Sequence, residues 1–411
     1  MRTLFSKEFL RYLGPGFLVT LGFIDPGNWA TNIAGGSAFG YDLLWVITLS
    51  TLMLIFLQHL SAKLGITTGR SLAANVRQHF SKPVAWLFGG TIILACAATD
   101  LAEYLGAALG FQLMFGIPPV VGAPLTLAIV VILALGQRYH SLERMIVGFL
   151  AIIGLCYLAE MLIVKPDWGL SAMAAFTPKI GGGSILIAMG MLGAVVMPHN
   201  IYLHSNTIQS REWETNGDPK RRKLLMKFEL ADTVSSMLAG WMVNSAMIIV
   251  AAAVFFTHHI NVTSIEQASA TLEPLAGTMA RFLFGIALLF AGVGSSLTSS
   301  MSEANVLTGY LGKPEDIHNR FYRIGLVVTS IPAMLIIAIG VDSFKALIWS
   351  QVALSIQLPL TIIPLLILAR RRSVMGEHAN NAVANTVGWI IAVVVIALNL
   401  LLLYRTFGGS F

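Results

Sequence analysis

Asp25-Pro26-Gly27-Asn28 interrupts an apolar run, Leu10 to Ala30, that otherwise reads as one membrane-crossing helix. A carboxylate at mid-membrane costs roughly 2.5 kcal/mol or more on insertion scales, so its presence points to a function. The next two residues predict the local shape. Proline lacks an amide donor and clashes with the preceding turn, and glycine frees the backbone. The helix is therefore expected to break at Asp25, leaving unpaired carbonyls and amides beside a carboxylate. Irregular backbone at membrane depth persists only where protein or a wet cavity satisfies it. Asn28 adds a second side-chain oxygen one turn on. The stretch predicts a buried polar site, against the plainer alternative of a proline kink with a snorkelling Asp.

The surrounding chain has a membrane composition. Of 411 residues, 56% are hydrophobic and 11% charged, with a mean hydropathy of +0.77. That excludes an ordinary soluble domain and leaves room for about 10 to 12 helical spans in a lipid bilayer. The formal net charge of +6 reflects loops that face an anionic leaflet. No basic-aromatic interleaving marks a nucleic-acid surface, so no nucleic acid is expected as a partner. Cys96 and Cys156 lie in apolar runs and read as small core residues. Basic residues precede the first apolar run as in a signal peptide. No small-residue cleavage site stands before Asp25, so the run is kept as the first helix.

Working outward, the second to fifth spans are expected at about Leu43 to Leu64, Val84 to Phe115, Val121 to Leu135 and Leu142 to Val164. The sixth is expected at Ser184 to His204, followed by a polar loop, Asn206 to Lys227. The seventh to eleventh follow at Leu230 to Phe256, Ala280 to Tyr310, Tyr322 to Ile339, Phe344 to Leu368 and Ala382 to Tyr404. With the N-terminus in the cytoplasm, strict alternation puts 21 of the 26 Lys and Arg, Arg2, Lys7 and Arg138 among them, on the cytoplasmic side. An asymmetry that strong supports eleven spans in that orientation. Short loops without appended domains point to a bacterial inner membrane.

The sixth span repeats the anomaly of the first, with Met197-Pro198-His199-Asn200 at its middle. The two Pro-interrupted spans are five helices apart, an odd number, so the halves have opposite orientation. Matching broken helices in inverted halves are the best sequence pointer to a transporter's substrate site. The expected organisation is a single all-α transporter domain over 1–411. Repeat one covers about 10–164, repeat two about 184–368, and an extra helix about 382–404.

Asp25 and Asn28 offer a carboxylate and an amide oxygen, and Met197 a thioether. The broken ends add free carbonyls near Gly22 and Ala194. Oxygens alone suit magnesium or calcium. A soft thioether shifts the preference toward a divalent transition metal, unless Met197 only fills space as methionines commonly do. Gln351 and Asn244 are amides in apolar spans, read either as ligands, direct or through water, or as interhelical hydrogen-bonding groups. Asp100 and Glu103, three apart, share a helix face. With His199 and His204 they read as a proton route. Arg323 either pairs with that acidic face or snorkels at the surface. The hydroxyl run Ser295 to Ser302 reads as close helix packing. No nucleophile–base pair is visible, so no enzyme and no cofactor is expected.

The paired signatures Asp25-Pro26-Gly27-Asn28 and Met197-Pro198-His199-Asn200 resemble those of the Nramp divalent-metal transporters. Thr99-Asp100-Leu101-Ala102-Glu103 and Ser350-Gln351-Val352 extend the resemblance, which covers essentially the whole chain. It implies a LeuT-type fold, ten helices in two inverted five-helix repeats, plus here an eleventh. It implies uptake of manganese or iron(II) coupled to protons by alternating access. By motif position, Asp25, Asn28, Met197 and the Ala194 carbonyl would bind the metal. Gly22 would supply another carbonyl, and Gln351 an amide in some states. Asp25, Asp100, Glu103 and Arg323 would handle protons, with His199 and His204 nearby. Branches that carry magnesium or aluminium depart at the Met position, which this chain keeps. Its own departure is Gly22-Phe23-Ile24, where many members have Ala-Tyr. An organic-solute symporter on the same fold is the competing class, and a metal sensor would require an output domain.

Overall fold

The computed structural model describes residues 8–136, 139–181, 183–211 and 219–406, and these are helical or in turns and short connections. Arg2, Lys7 and Arg138, which enter the charge count, lie outside the described residues, as do Gly182 and 212–218 of the polar loop. The first span is two helices, α1 (Pro15–Gly22) and α2 (Pro26–Phe39). At about 1.5 Å per residue neither half covers a hydrocarbon core of about 30 Å. The second to fifth spans are α3 (Leu44–Thr68), α5 (Lys82–Phe115), α6 (Pro119–Gly136) and α7 (Tyr139–Val164), with α4 (Leu72–His79) between α3 and α5. After α8 (Trp168–Ala174) comes the second broken span, α9 (Ile185–Val195) and α10 (Pro198–Thr207). Then follow α11 (Pro219–Val254), α12 (Ile265–Ala276), α13 (Thr278–Leu311), α14 (Arg320–Gly325) and α15 (Ser330–Ala338). The chain continues through α16 (Ser343–Arg370), α17 (Arg372–Met375) and α18 (Ala382–Thr406). Ten segments among the described residues are long and apolar enough to cross a membrane, and the α1–α2 pair completes the eleven expected crossings.

Three details differ from the sequence reading. α4, α8 and α12 are short helices started by the side-chain caps Ser71, Asp167 and Ser264, where only connections were expected. The seventh helix begins at Pro219, inside the expected polar loop, because the run from Lys220 to Lys227 consists mostly of good helix formers. The ninth span is interrupted at 326–329, where Val327 N bonds Ile324 O at 3.1 Å. Pro332 removes the amide that would bond the Val328 carbonyl, and three β-branched residues precede Ser330.

The outer surface is apolar. Leu94 on α5, Ile132 on α6 and Leu155 on α7 are 74%, 69% and 65% exposed, a surface suited to hydrocarbon. The protein is a multi-pass membrane protein whose polar groups face inward. Both broken helices run through the centre, where α1 packs on α10 and α2 on α9. That crosswise pairing makes the two spans antiparallel, with their breaks side by side. Beside them α13 runs along α5, closely enough that a Cβ on Gly292 would stand 2.5 Å from the Ala107 amide. Cys96 and Cys156 are buried free thiols.

Candidate metal site between two broken helices

The two breaks have the same construction. In the first, Phe23 and Ile24 close α1 with bonds of 3.2 Å to Thr20 and Leu21 carbonyls. Asp25 then turns extended (φ −79°, ψ 162°) and caps α2, with Pro26 at the first helical position. In the second, Val196 N closes α9 on Leu192 O at 2.9 Å. Met197 turns extended (φ −72°, ψ 124°), with Pro198 first in α10. Gly22 stands four residues before Pro26 and Ala194 four before Pro198. Each proline lacks the amide that would bond that carbonyl, so both carbonyls are released at the break.

Asp25 accepts from Asn28 N at 2.8 Å and Gly27 N at 3.2 Å, which holds its carboxyl at the positive end of α2. Its Oδ2 also accepts from Gln351 Nε2, on α16, at 3.0 Å. Gly27 permits this approach, since a Cβ there would come 1.8 Å from that nitrogen. A second amide ties the breaks together. Asn200 Nδ2 lies 3.5 Å from the Met197 sulfur, and a Cβ on Gly22 would meet Asn200 Oδ1 at 2.6 Å. Asn28 Nδ2 donates to Phe23 O at 2.6 Å and to Asn244 Oδ1 at 2.8 Å, which fixes the amide and turns its oxygen away from both. Asn244 thus acts as an interhelical hydrogen-bonding group behind Asn28.

Gly22, Asp25, Asn28, Ala194, Met197 and Gln351 are all buried. Asn28 Oδ1, Gln351 Oε1 and Asn200 Oδ1 have no hydrogen-bond partner. Unpaired buried acceptors are costly, and a cation satisfies several at once. One carboxylate, amide and carbonyl oxygens and a thioether form a donor set of mixed hardness, suited to a divalent transition ion. Among the described residues no group of three His, Cys, Asp or Glu could hold a metal, so the centre differs from a resident zinc or iron cage.

Asp100 and Glu103 are buried on α5. Asp100 accepts from Ser330 Oγ at 3.0 Å, while neither oxygen of Glu103 has a hydrogen-bond partner. His199 Nδ1 stands 3.4 Å from Thr99 Oγ1, and His204 Nδ1 3.1 Å from Gln58 Oε1; both Nε2 atoms are unpartnered. Arg323 does not join them. It is exposed and donates from Nε to the Ile317 carbonyl at 2.8 Å, so the acidic face lacks the guanidinium expected to pair with it. The physical reason is position: Arg323 sits in the last turn of α14, before the interruption, at the surface end of the span.

Sequence reasoning missed Asn200, whose signal was its place three residues after Met197. It also missed Glu303, one residue beyond the hydroxyl run, and Asp232, which caps the start of α1 through Gly14 N (3.0 Å) and Gly16 N (2.8 Å). A carboxylate inside an apolar span was the available signal in both cases.

Residues 16–405 match the family model described as natural resistance-associated macrophage protein-like, Nramp. The divalent metal cation transporter MntH of Caldanaerobacter subterraneus is 43% identical over 407 residues, covering 98% of this chain and 95% of that one. MntH of Bacillus subtilis strain 168 is 41% identical, covering 98% and 93%. The crystal structure of the Eremococcus coleocola manganese transporter with an aromatic bis-isothiourea compound superposes with a TM-score of 0.83 at 29% identity, over 98% of this chain and 89% of that one. Mhp1, a nucleobase-cation-symport-1 transporter in a closed conformation, shares the fold at a TM-score of 0.64 and 17% identity, over 95% and 90%. The LeuT-type architecture expected from the sequence is the observed one. The matched relatives are transporters, and the chain is not an enzyme. With its family model spanning nearly the whole sequence and its two breaks built alike, the chain belongs to the Nramp family.

Proposed function

We propose that the protein imports divalent transition metal ions, manganese and iron(II), across a bacterial inner membrane, coupled to protons by alternating access. The ion sheds water to Asp25, Asn28, Met197 and the carbonyls of Gly22 and Ala194, and Gln351 contributes its amide in some states. The observation that carries this reading is the equivalence of the breaks. Each presents one released carbonyl and one ligand residue immediately before its proline, and the antiparallel packing of α1–α2 on α10–α9 sets them side by side. Similarity to proteins named as divalent metal cation and manganese transporters supports the choice of substrate.

Metal binding favours the ionised form of a coordinating carboxylate, so Asp25 gives up a proton as the ion arrives. Asp100 and Glu103 receive protons from it, with His199 facing α5 at Thr99 and His204 facing α3 at Gln58. The first and sixth helices then move against the rest of the bundle. The repeats divide at about 10–164 and 184–368, and the N-terminus is cytoplasmic, as the loop charges favour. The membrane potential aids entry by about 2.3 kcal/mol per charge per 100 mV.

The test is uptake into proteoliposomes that hold a metal-sensitive dye and a pH dye, for wild type and Asp25→Ala. Manganese entry with internal acidification, both lost in Asp25→Ala, is the expected result. Equal entry of magnesium into wild type, or manganese entry that survives Asp25→Ala, overturns the assignment.

A further inference from the structure

Glu303 is fully buried on α13, and three hydroxyl-bearing segments converge on it and on Asp100. Ser299 Oγ lies 3.1 Å from Glu303 Oε1 and 3.5 Å from Asp100 Oδ1, so one hydroxyl bridges the two acids. The Thr329 hydroxyl bonds Glu303 Oε2. Ser330 Oγ donates to Asp100 Oδ2 at 3.0 Å and lies 3.2 Å from the Tyr104 hydroxyl.

The surroundings offer no positive partner. Among the described residues none of Asp100, Glu103 and Glu303 forms an ion pair with Lys, Arg or His. The titratable groups facing Glu303 are Asp100, Glu103, Tyr104 and Cys96 from α5. His199 of α10 is reached through its carbonyl, which accepts from Ser302 Oγ at 2.7 Å. Arg320 and Arg323 of α14 are exposed. Glu103 is buried on α5, one turn beyond Asp100 on the same face.

We propose that Glu303 is a proton-relay residue that takes protons from Asp100 toward the side that carries the N-terminus, and that the interruption of the ninth span exists to hydrogen-bond these two acids. Thr329 and Ser330 sit at that interruption, and their hydroxyls are the donors that reach the acids. Glu303 lies eight residues before Leu311, the end of α13, about 12 Å along the helix. One proton arriving on Asp100 from Glu103 passes through Ser299, whose hydroxyl gives its own proton to Glu303 and takes up the arriving one. Glu303 then releases one proton to water, so one enters the pair and one leaves. The inference rests on the metal–proton reading above.

The experiment uses the full chain in proteoliposomes, with manganese entry and internal pH read together. Glu303→Gln keeps size and hydrogen bonding but holds no exchangeable acid proton. It is expected to keep manganese entry within about threefold of wild type and to lower proton influx per manganese at least about fivefold. Thr329→Val and Glu303→Asp provide the same readout should Glu303→Gln not fold. Thr329→Val is expected to lower the ratio by a smaller factor, and Glu303→Asp to restore it. An unchanged ratio, or entry and proton flux falling in step, overturns the proposal. So does a wild-type proton ratio that changes when external sodium replaces choline, which would make the cluster a sodium site. Manganese entry without acidification in wild type defeats the proton-coupled reading itself, which separates the two failures.

Discussion

Gln351 Nε2 donates to Asp25 Oδ2 at 3.0 Å, so an amide from the tenth span closes on the carboxylate of the first break. The same amide keeps its oxygen unpartnered in the protein interior. A cation that binds Asp25 competes for Oδ2, and rotation of the amide then offers Oε1 to the ion. On the metal-import reading proposed above, Gln351 would be a placeholder before binding and a ligand after it.

Gln351→Leu removes both roles. Manganese affinity measured by calorimetry on the purified protein is expected to fall about tenfold, equivalent to about 1.4 kcal/mol. Gln351→Glu adds a second hard anion and is expected to tighten magnesium and calcium more than manganese. Unchanged affinity in Gln351→Leu removes the residue from the ligand set.

Met197 carries the argument about selectivity. Its sulfur is buried and touches the amide of Asn200, another side chain with an unpartnered oxygen. Met197→Ala removes the soft donor and leaves oxygens. Calcium and magnesium are then expected to compete with manganese uptake at roughly tenfold lower concentration than in wild type, the effect of one ligand's worth of preference. Identical competition curves show that the thioether only fills space.

The fold was legible because Pro26 and Pro198 are helix breakers inside apolar runs, and because loop charge alternates with each crossing. Asp25, Asn28 and Met197 were legible for the same reason: polar or soft groups beside a break have few structural explanations. Glu303 was hidden just past a run of hydroxyls that reads as packing, and its partner Thr329 comes from a span interrupted by a proline three residues further on. Asn200 carried a signal in its spacing from Met197, but its approach to Gly22 needed the third dimension, since the antiparallel packing brings the two together. Between the two readings of Arg323, the structure takes the exposed one, because side-chain direction at a helix end depends on where the helix stops, and the interruption at 326–329 was not foreseen.

Arg211 Nη2 lies 2.6 Å from Glu143 Oε1 and donates to Leu13 O at 2.8 Å, with both side chains 8% exposed. Next to it Asp232 caps the start of α1. The first, fifth, sixth and seventh spans are thus pinned together at the end that carries the N-terminus. Removing one partner of a buried pair leaves an uncompensated charge, at a cost of about 3 kcal/mol. Glu143→Gln is expected to speed amide hydrogen exchange over 14–24 at least about tenfold, with exchange over α18 unchanged. Equal acceleration everywhere indicates global destabilisation and removes the pair as a local latch.

Glu315 supplies a pH-sensitive tie at the same end, in the connection after α13. Ser71 Oγ donates to its Oε1 at 2.6 Å and the Asn206 amide bonds its Oε2, joining α4 to the end of α10. Burial pushes its carboxyl above the ordinary value, against the pull of those two donors. The folded tie therefore prefers the protonated form. Its contribution is full below the ordinary carboxylate range and is lost as pH rises through the raised value. After correction for intrinsic rates, hydrogen exchange over 69–79 is expected to be slowest in mild acid and to quicken toward neutral pH. Glu315→Gln, a neutral isostere that keeps the acceptor and cannot ionise, is expected to hold the slow rate throughout. A pH profile identical to wild type in Glu315→Gln assigns the sensitivity to another group. A flat, fast profile shows instead that the bonds to Ser71 and Asn206 need the carboxyl itself.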